Sequence, residues 1–233
     1  MNPYRKLRSI LRPDSVRDIT AAIIREGQCT SALDVGCGSS SILSEYRPAL
    51  YTVGVDAYPA AIAAARAKNV HDAYIVADVL KDDIAAALLA AGARRACDIV
   101  SLYGVIEHLP KPRGFELLRR CEQLAAKYVI LETPNGFVEQ GPESGNEYQR
   151  HLSGWIVRDF TSLGYRVYGT TGTKYLRYYM AGPRYNFPGW RYADELLTLL
   201  FRINRYPRHA FNLVAVKDLR GVPARNAPPD GAT

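Results

Sequence analysis

Residues 33–40 read Leu33-Asp-Val-Gly-Cys-Gly-Ser-Ser40, and this stretch decides the fold. It continues a short apolar strand that begins at Ser31, and two glycines two positions apart follow directly. Glycine adopts backbone conformations that other residues avoid, so the pair predicts a tight turn that can approach a ligand closely. A helix expected over 41–46 would place its N-terminus, which attracts anionic groups, beside the turn. The stretch therefore predicts a strand, a ligand-binding loop and a helix in succession.

Further apolar runs follow at the spacing of strand–helix units. The predicted strands cover 31–36, 51–56, 73–78, 97–103 and 128–133, and the helix-forming segments between them cover 41–46, 60–68, 82–91 and 113–127. Strands that alternate with helices form right-handed crossovers and a parallel sheet. Beyond them, 153–163 is expected as a helix, and 165–169 and 209–217 as two further strands. The chain is therefore an α/β protein.

Carboxylates end the strands that neighbour the glycine loop. Asp56 ends the second predicted strand, 22 positions after Asp34, and Asp78 ends the third strand after the same interval. The carboxyl ends of parallel strands line the crevice where open α/β sheets bind ligands. There, Asp56 is placed to accept hydrogen bonds from ribose hydroxyls, and Asp78 lies near the expected position of an adenine amino group. The three carboxylates in register predict a nucleoside-binding crevice.

These motifs resemble the class I S-adenosylmethionine-dependent methyltransferases over about residues 15–217. Asp34, Gly36 and Gly38 match the first motif of that family, with Ser40 in place of its third glycine. The stretch Cys97-Asp-Ile-Val-Ser-Leu-Tyr-Gly-Val-Ile-Glu-His-Leu-Pro110 is similar to its fourth motif. The resemblance implies a Rossmann-like doubly wound sheet of seven strands, mostly parallel with an antiparallel last strand, and helices on both faces.

By the same resemblance, the cofactor is S-adenosylmethionine and the product is S-adenosylhomocysteine. The residues implied around the cofactor are Asp34, Gly36, Cys37, Gly38, Asp56, Ala57, Asp78, Val79 and Tyr103. A nicotinamide-dependent dehydrogenase is the structural rival. It would usually carry a third glycine at position 41, where this chain has Ser41.

The 233 residues suffice for one well-buried α/β domain. We expect a helical segment over 1–30, capped at Asp14 or Ser15, and a methyltransferase domain over 31–219 with an acceptor-side insertion at about 172–208. The tail over 220–233 is expected to be disordered. No apolar stretch is long enough for a membrane-spanning helix. The four cysteines lack zinc-site spacing, so we expect buried, reduced thiols in the cytoplasm.

Methylation of a hydroxyl requires removal of its proton, and histidine is the usual general base. His108 follows Glu107 just beyond the fourth strand, at the catalytic end of the sheet. His151 lies in a polar and aromatic segment after the fifth strand. His71 and His209 lie in a connection and at a strand edge, where structural roles are expected. We therefore predict His151, His108 and Glu107 as the catalytic group.

The pair Glu107-His108 also resembles metal-dependent members of the family. In the small-RNA 3′-end 2′-O-methyltransferases and some quinone-pathway O-methyltransferases, a Glu-x-x-Glu-His run supplies Mg²⁺ or Zn²⁺ ligands. Here the first Glu of that run is replaced by Gly104, so one ligand is missing. We expect no functional metal, and Glu107, His108 and His151 are the residues that would hold one.

Aromatic and basic residues dominate the acceptor side. Eight tyrosines lie between Tyr148 and Tyr192, interleaved with arginines. Aromatic faces and arginine side chains suit sugars, nucleobases or phosphates. The amphipathic run 193–203 would lie on an anionic membrane, or pack as a lid or a homodimer contact.

The favoured function is O-methylation of a small-molecule or carbohydrate hydroxyl, in a surface polysaccharide or its lipid-linked precursor. Thr133-Pro-Asn-Gly136 and His151-Leu-Ser-Gly-Trp155 resemble bacterial methyltransferases of glycan gene clusters. The alternatives are a metal-assisted RNA 2′-O-methyltransferase and a non-catalytic cofactor-binding subunit. DNA is not expected as a partner. The net charge of +7 comes without a basic tail or RNA-binding module. It therefore favours an anionic acceptor, or peripheral contact with the membrane that carries it, over RNA.

Overall fold

The computed structural model describes residues 15–142, 146–178, 182–185, 187–203 and 205–221. Its strands, in chain order, are β1 Ser31–Val35, β2 Tyr51–Asp56, β3 Ala73–Val76, β4 Cys97–Tyr103, β5 Ala125–Pro134, β6 Arg166–Thr173, β7 Arg177–Tyr178, β8 Gly182–Pro183 and β9 Ala210–Asp218. The helices are α1 Val16–Glu26, α2 Pro59–Ala67, α3 Ile84–Ala90, α4 Lys111–Leu124, α5 Val157–Thr161 and α6 Trp190–Leu200.

Seven of these strands form one sheet in the order β3-β2-β1-β4-β5-β9-β6. Strands β1 to β5 are parallel, whereas β9 lies antiparallel between β5 and β6. The short strands β7 and β8 form a separate hairpin. The expected Rossmann-like fold, mostly parallel with an antiparallel last strand, is confirmed.

Two apolar cores lie on opposite faces of the sheet, because successive side chains of a strand point to opposite sides. Leu33 and Val100 pack with α3 and α4 in the larger core. Ala32 and Ile99, one position earlier on the same strands, pack with α1 in the other. Strands covered on both faces are continuously apolar, which explains their pattern in the sequence.

The helix α1 begins with a reciprocal cap. Ser15 Oγ accepts a hydrogen bond from the Asp18 backbone N–H, and the Asp18 carboxylate accepts one from the Ser15 N–H. Such a capping box satisfies backbone donors that the first turn leaves unpaired. Of the two expected caps, Ser15 is thus the one observed; Asp14 lies outside the described residues.

Two expected helices differ from the structure. Residues 42–46 form a 3₁₀ turn, and Pro48 follows shortly afterwards, so no α-helix develops between β1 and β2. The helix expected over 153–163 is reduced to α5, because the chain at Trp155 is extended against the exit of β5. There the Gly136 N–H donates to the Trp155 carbonyl at 2.7 Å.

The expectations about the cysteines, the insertion, the two ends of the chain and membrane-spanning helices compare with the structure as follows. All four cysteines are buried and free, as expected. The insertion between β6 and β9 carries β7, β8 and α6. Residues 1–14 of the expected N-terminal segment and 222–233 of the expected tail lie outside the described residues. Within the described ranges, none of the helices has the length and apolar character needed to cross a membrane.

Replacing Trp155 with alanine should lower the free energy of unfolding by about 3–5 kcal/mol. The fully buried indole stacks on Phe160, meets Phe115 edge-on and donates its Nε1–H to Ser153 Oγ at 2.9 Å. Urea denaturation measures the change. The exposed Tyr148→Ala should change stability by less than about 0.5 kcal/mol. An equally small change for Trp155→Ala would show that this core is not packed as described.

Candidate active site

The glycine loop crosses from the end of β1 to the end of β2. Gly36 and Gly38 adopt φ angles of +65° and +57°, in the left-handed region that favours glycine. The Gly36 N–H donates to the Val55 carbonyl at 2.8 Å, and the Gly38 N–H donates to Asp56 Oδ2 at 2.9 Å. A Cβ at Gly36 would lie only 2.7 Å from Val105 Cγ2. The loop is therefore fixed by backbone geometry and by close packing.

Asp34 ends β1 beneath this loop and is buried. The hydroxyl of Ser101 donates to its Oδ1 at 2.6 Å. Burial nevertheless raises the pKa of Asp34 to about 6, and the nearby charge of Asp56 adds to the rise. His71 Nε2 lies 3.5 Å from Asp34 Oδ2. Burial lowers the pKa of His71 to about 4, so its imidazole is neutral at pH 7.

A cleft opens between the glycine loop and the N-terminal turns of α1. Tyr103, at the end of β4, closes one side, and its hydroxyl hydrogen-bonds with Thr20 Oγ1 at 2.9 Å. The cleft is lined by Arg17, Asp34, Gly36, Cys37, Ser40, Ser41, Ile42 and Tyr103. A carboxylate at the floor and a close-approaching backbone suit a ligand that carries positive charge. S-adenosylmethionine, with its sulfonium and ammonium groups, fits this arrangement.

The expected nucleoside carboxylates lie farther along the same edge of the sheet. Asp56 already accepts hydrogen bonds from the loop and from the Tyr58 N–H at 2.8 Å. Asp78 lies two residues beyond β3, where its Oδ2 pairs with Lys81 Nζ at 2.8 Å. Ala57 is half-buried, whereas the Val79 side chain is buried in the larger core. Only the backbone of Val79 is thus placed to meet a cofactor.

Three residues of this region were not expected there from the sequence: Arg17, Ser41 and His71. Arg17 and Ser41 are polar residues on elements that close the cleft, and nothing in their spacing marks them. His71 carries one usable signal. It packs against Gly54, where an added Cβ would meet the imidazole at 2.5 Å. A glycine inside a strand indicates such a close approach.

A second group of polar side chains lies just beyond β4. Glu107 and His108 belong to a 3₁₀ turn, Ile106–His108, and His151 approaches from the segment after β5. The Glu107 carbonyl accepts hydrogen bonds from the backbone N–H groups of Leu152 and Ser153, at 2.8 and 3.0 Å. These bonds hold the two segments together. One ligand atom from each of Glu107, His108 and His151 lies within 4.8 Å of the others.

Both imidazoles of this cluster have a defined tautomer. His151 Nδ1 lies 2.6 Å from the Val138 carbonyl, and His108 Nδ1 lies 3.2 Å from the Arg150 carbonyl. A carbonyl only accepts hydrogen bonds, so Nδ1 carries the proton in each neutral ring. The Nε2 atoms then keep their lone pairs. Burial lowers the pKa of His108, which favours the neutral form.

Glu107 is the buried member of the cluster. The hydroxyl of Thr133 donates to its Oε2 at 3.0 Å, yet burial raises its pKa to about 7. Gly104 lies where metal-dependent members carry a further Glu. A Cβ there would lie 3.8 Å from Glu107 Oε1, so a side chain at this position would approach the cluster. The three side chains present can accept a proton or act as mixed N/O ligands of a divalent cation.

Residues 33–128, from Leu33 in β1 to Tyr128 in β5, match a family model described as a methyltransferase domain. This segment therefore carries the sequence pattern of a methyltransferase domain. The match supports the expected class I methyltransferase, with S-adenosylmethionine as the methyl donor. No curated protein matches the chain in sequence.

Solved structures share the methyltransferase fold at low sequence identity. A SAM-dependent methyltransferase from Archaeoglobus fulgidus has a TM-score of 0.51 and 20% identity, covering 92% of this chain and 99% of that chain. The plantazolicin methyltransferase BpumL, in complex with a monoazolic desmethylPZN analog and SAH, has a TM-score of 0.53 and 18% identity, covering 87% of this chain and 81% of that chain. The small RNA methyltransferase HEN1 has a TM-score of 0.53 and 18% identity, covering 86% of this chain and 24% of that chain.

Donor affinity should depend on the ionisation of Asp34. Above its pKa of about 6 the carboxylate attracts the cationic donor, so affinity should fall roughly tenfold between pH 7 and pH 5. The raised pKa also means that the donor-free fold loses stability as pH rises from about 4 to about 6. Calorimetric titration across this range measures the affinity.

Asp34→Asn should bind the donor weakly, with a flat pH profile. Asp98→Asn is the control, because Lys127 and the Thr30 N–H hold Asp98 at the opposite end of β4. That variant should keep the pH profile of the unmodified protein. A steep profile in Asp34→Asn would assign the dependence to another group.

Proposed function

We propose that this methyltransferase transfers the methyl group of S-adenosylmethionine to a hydroxyl oxygen of a carbohydrate, in a surface glycan or its lipid-linked precursor. The observation that carries the proposal is the cluster of Glu107, His108 and His151. It offers two imidazole lone pairs just beyond β4, whose last residue, Tyr103, lines the cofactor cleft. An amine acceptor has a lone pair of its own when neutral. A hydroxyl must lose its proton as it attacks, so a nearby proton acceptor favours oxygen.

The donor supplies a methyl group that is already electrophilic, so the protein has to position the acceptor and remove its proton. We assign the proton to His151 Nε2. As this ring becomes positively charged, its Nδ1–H keeps its hydrogen bond to the Val138 carbonyl, which stabilises the imidazolium. The bonds of Leu152 and Ser153 to Glu107 hold His151 beside His108 throughout.

A carbohydrate acceptor is supported by the exposed surface on the segments that hold His151. Phe137 and Tyr148 are both exposed, and Leu152 follows His151 directly. Tyr148 also approaches Tyr58, with 6.2 Å between the ring centroids. Exposed aromatic rings stack on the apolar faces of sugars and on nucleobases alike. The choice of a glycan over RNA rests on the sequence, whose net charge of +7 comes without a basic tail or RNA-binding module.

A divalent metal ion at the cluster is the second candidate mechanism. It is favoured by three ligand atoms within 4.8 Å and by Nδ1 protons that are tied to carbonyls, which is how ligating histidines are usually oriented. Glu107, His108 and His151 would then hold the ion, whose chemistry is to lower the pKa of a bound hydroxyl. In that case His151 would act as a ligand rather than as the base.

Turnover with radiolabelled donor tests the proposal. Glycan, phenol and RNA acceptors should be compared, each with and without a chelator. We expect methyl transfer to a glycan hydroxyl. Activity that persists in chelator assigns His151 as the base, and activity restored by Mg²⁺, Mn²⁺ or Zn²⁺ assigns the metal. Transfer to RNA alone, or donor binding without transfer to any acceptor, would contradict the proposed function.

A further inference from the structure

The helix α6 has its polar and apolar faces reversed with respect to solvent. Its inward face carries Asp194 and Thr198, which are 1% and 8% exposed. Its outward face, called here the leucine face, consists of Tyr192, Leu196, Leu199 and Leu200, which are 79%, 57%, 41% and 66% exposed. A surface helix normally buries its apolar stripe. The reversal leaves a row of large apolar side chains in water, which marks an interaction surface.

Inward contacts fix the helix in this orientation. Asp194 Oδ1 accepts a hydrogen bond from the Thr173 N–H at 2.9 Å, and its Oδ2 pairs with Arg177 at 2.6 Å. At the end of α6, Phe201 stacks on His209, with 4.9 Å between the ring centroids. Rotation of α6 to bury its leucines would break the buried ion pair of Asp194, which is costly. The leucine face is therefore a stable feature of the fold.

Exposed arginines flank the leucine face in the sequence. Between residues 182 and 209 the acidic residues are Asp194, which is buried, and Glu195. The exposed arginines of the same span are Arg184, Arg191, Arg202, Arg205 and Arg208. An apolar row framed by arginines is the composition of helices that lie in the headgroup region of anionic membranes.

We propose that the leucine face docks on an anionic phospholipid bilayer. A second copy of the chain is disfavoured, because a two-fold contact would bring the arginines of both copies together. Nucleic acid is disfavoured, because its phosphates would leave Leu196, Leu199 and Leu200 without an apolar partner. An anionic bilayer offers acyl chains that the leucines can contact and phosphate groups that the arginines can bind.

The helix α6 lies at the catalytic edge of the sheet, because its Asp194 bonds to Thr173 at the end of β6, and β6 runs in the same direction as β5. Asn135, which follows β5, donates its Nδ2–H to the Ala210 carbonyl at 2.9 Å, where the chain returns from α6. Docking would bring the acceptor side close to the membrane, where a lipid-linked sugar presents its hydroxyls. This link to the acceptor rests on the proposed function, whereas the docking itself does not.

Vesicle co-sedimentation of the full chain tests the docking. We expect binding to phosphatidylcholine vesicles that contain phosphatidylglycerol, little binding to phosphatidylcholine alone, and weaker binding at high salt. The double variant Leu196→Ser/Leu199→Ser should bind the anionic vesicles at least roughly tenfold more weakly. Leu89→Ser is the matched control, because Leu89 is 46% exposed on α3. Its binding should equal that of the unmodified protein.

The charge requirement is tested in the same assay. Arg191→Glu/Arg202→Glu should weaken binding to the anionic vesicles, whereas Arg158→Glu, an exposed arginine on α5, should not. All variants should keep the thermal midpoint and donor affinity of the unmodified protein. If the protein binds anionic vesicles but does not bind S-adenosylmethionine, the proposed function is overturned and the docking proposal stands.

Three results would overturn the docking itself. One is the absence of vesicle binding, and another is binding that both leucine substitutions leave unchanged. The third is a dimer in light scattering that Leu196→Ser/Leu199→Ser dissociates, which would assign the face to a second copy.

Discussion

Replacing His151 with alanine should lower the rate of methyl transfer roughly 10²–10⁴-fold and leave donor affinity unchanged. His151 Nε2 carries the free lone pair that we assign to the acceptor proton, because Nδ1–H is bound to the Val138 carbonyl. The side chain lies in the Glu107 cluster and does not line the cofactor cleft. Single-turnover rates and calorimetric donor titration separate the two effects.

His209→Ala is the control for this prediction. His209 hydrogen-bonds with the Tyr175 hydroxyl at 2.7 Å and stacks on Phe201, outside the cluster. Its removal should leave the rate of transfer near that of the unmodified protein. Should His151→Ala retain full turnover, His151 would be neither base nor ligand.

Replacing Gly36 with alanine should weaken donor binding roughly 100-fold. The positive φ of +65° costs an alanine about 1–2 kcal/mol, and the added Cβ would lie 2.7 Å from Val105 Cγ2. Overpacking of this kind costs a further ~1–3 kcal/mol, and relief requires the loop to move away from its ligand-binding position. Calorimetric titration with S-adenosylmethionine measures the loss.

Gly92→Ala is the control, because it introduces the same kind of backbone strain without changing the glycine loop at Gly36. Gly92 has a φ of +78°, but a Cβ there would meet no atom within 4 Å. The variant should therefore lose some stability and keep its donor affinity. Equal donor affinities for Gly36→Ala and the unmodified protein would show that the loop does not contact the donor.

The sheet could be predicted from the sequence because its signals are local. Each buried strand is a short apolar run, and each helix separates two such runs. The antiparallel placement of β9 between β5 and β6 required the family resemblance, since no local pattern encodes the pairing partner. The cofactor loop was predictable for the same reason, because Gly36 and Gly38 directly follow β1.

The acceptor side was predictable in part. Glu107, His108 and His151 were all expected there, but their proximity depends on backbone bonds between segments more than 40 positions apart. The helix expected over 153–163 is shortened to α5, Val157–Thr161, because Trp155 is extended against the exit of β5 and its indole is buried in the core. The orientation of α6 depends on buried tertiary contacts of Asp194, which helical periodicity does not reveal.

The 3₁₀ turn at Ile42–Tyr46 favours S-adenosylmethionine over a nicotinamide dinucleotide as the cofactor. A nicotinamide dinucleotide places its pyrophosphate at the N-terminus of an α-helix that follows the glycine loop. Here a five-residue 3₁₀ turn follows instead, and its end groups provide a much weaker anion site. S-adenosylmethionine has no phosphate, so it does not require that helix.

Calorimetric titration of the protein with S-adenosylmethionine and, separately, with NAD tests the central claim most directly. The structure predicts saturable binding of S-adenosylmethionine at one site per chain, competed by S-adenosylhomocysteine, and no measurable binding of NAD. Tight binding of NAD without binding of S-adenosylmethionine would contradict the account.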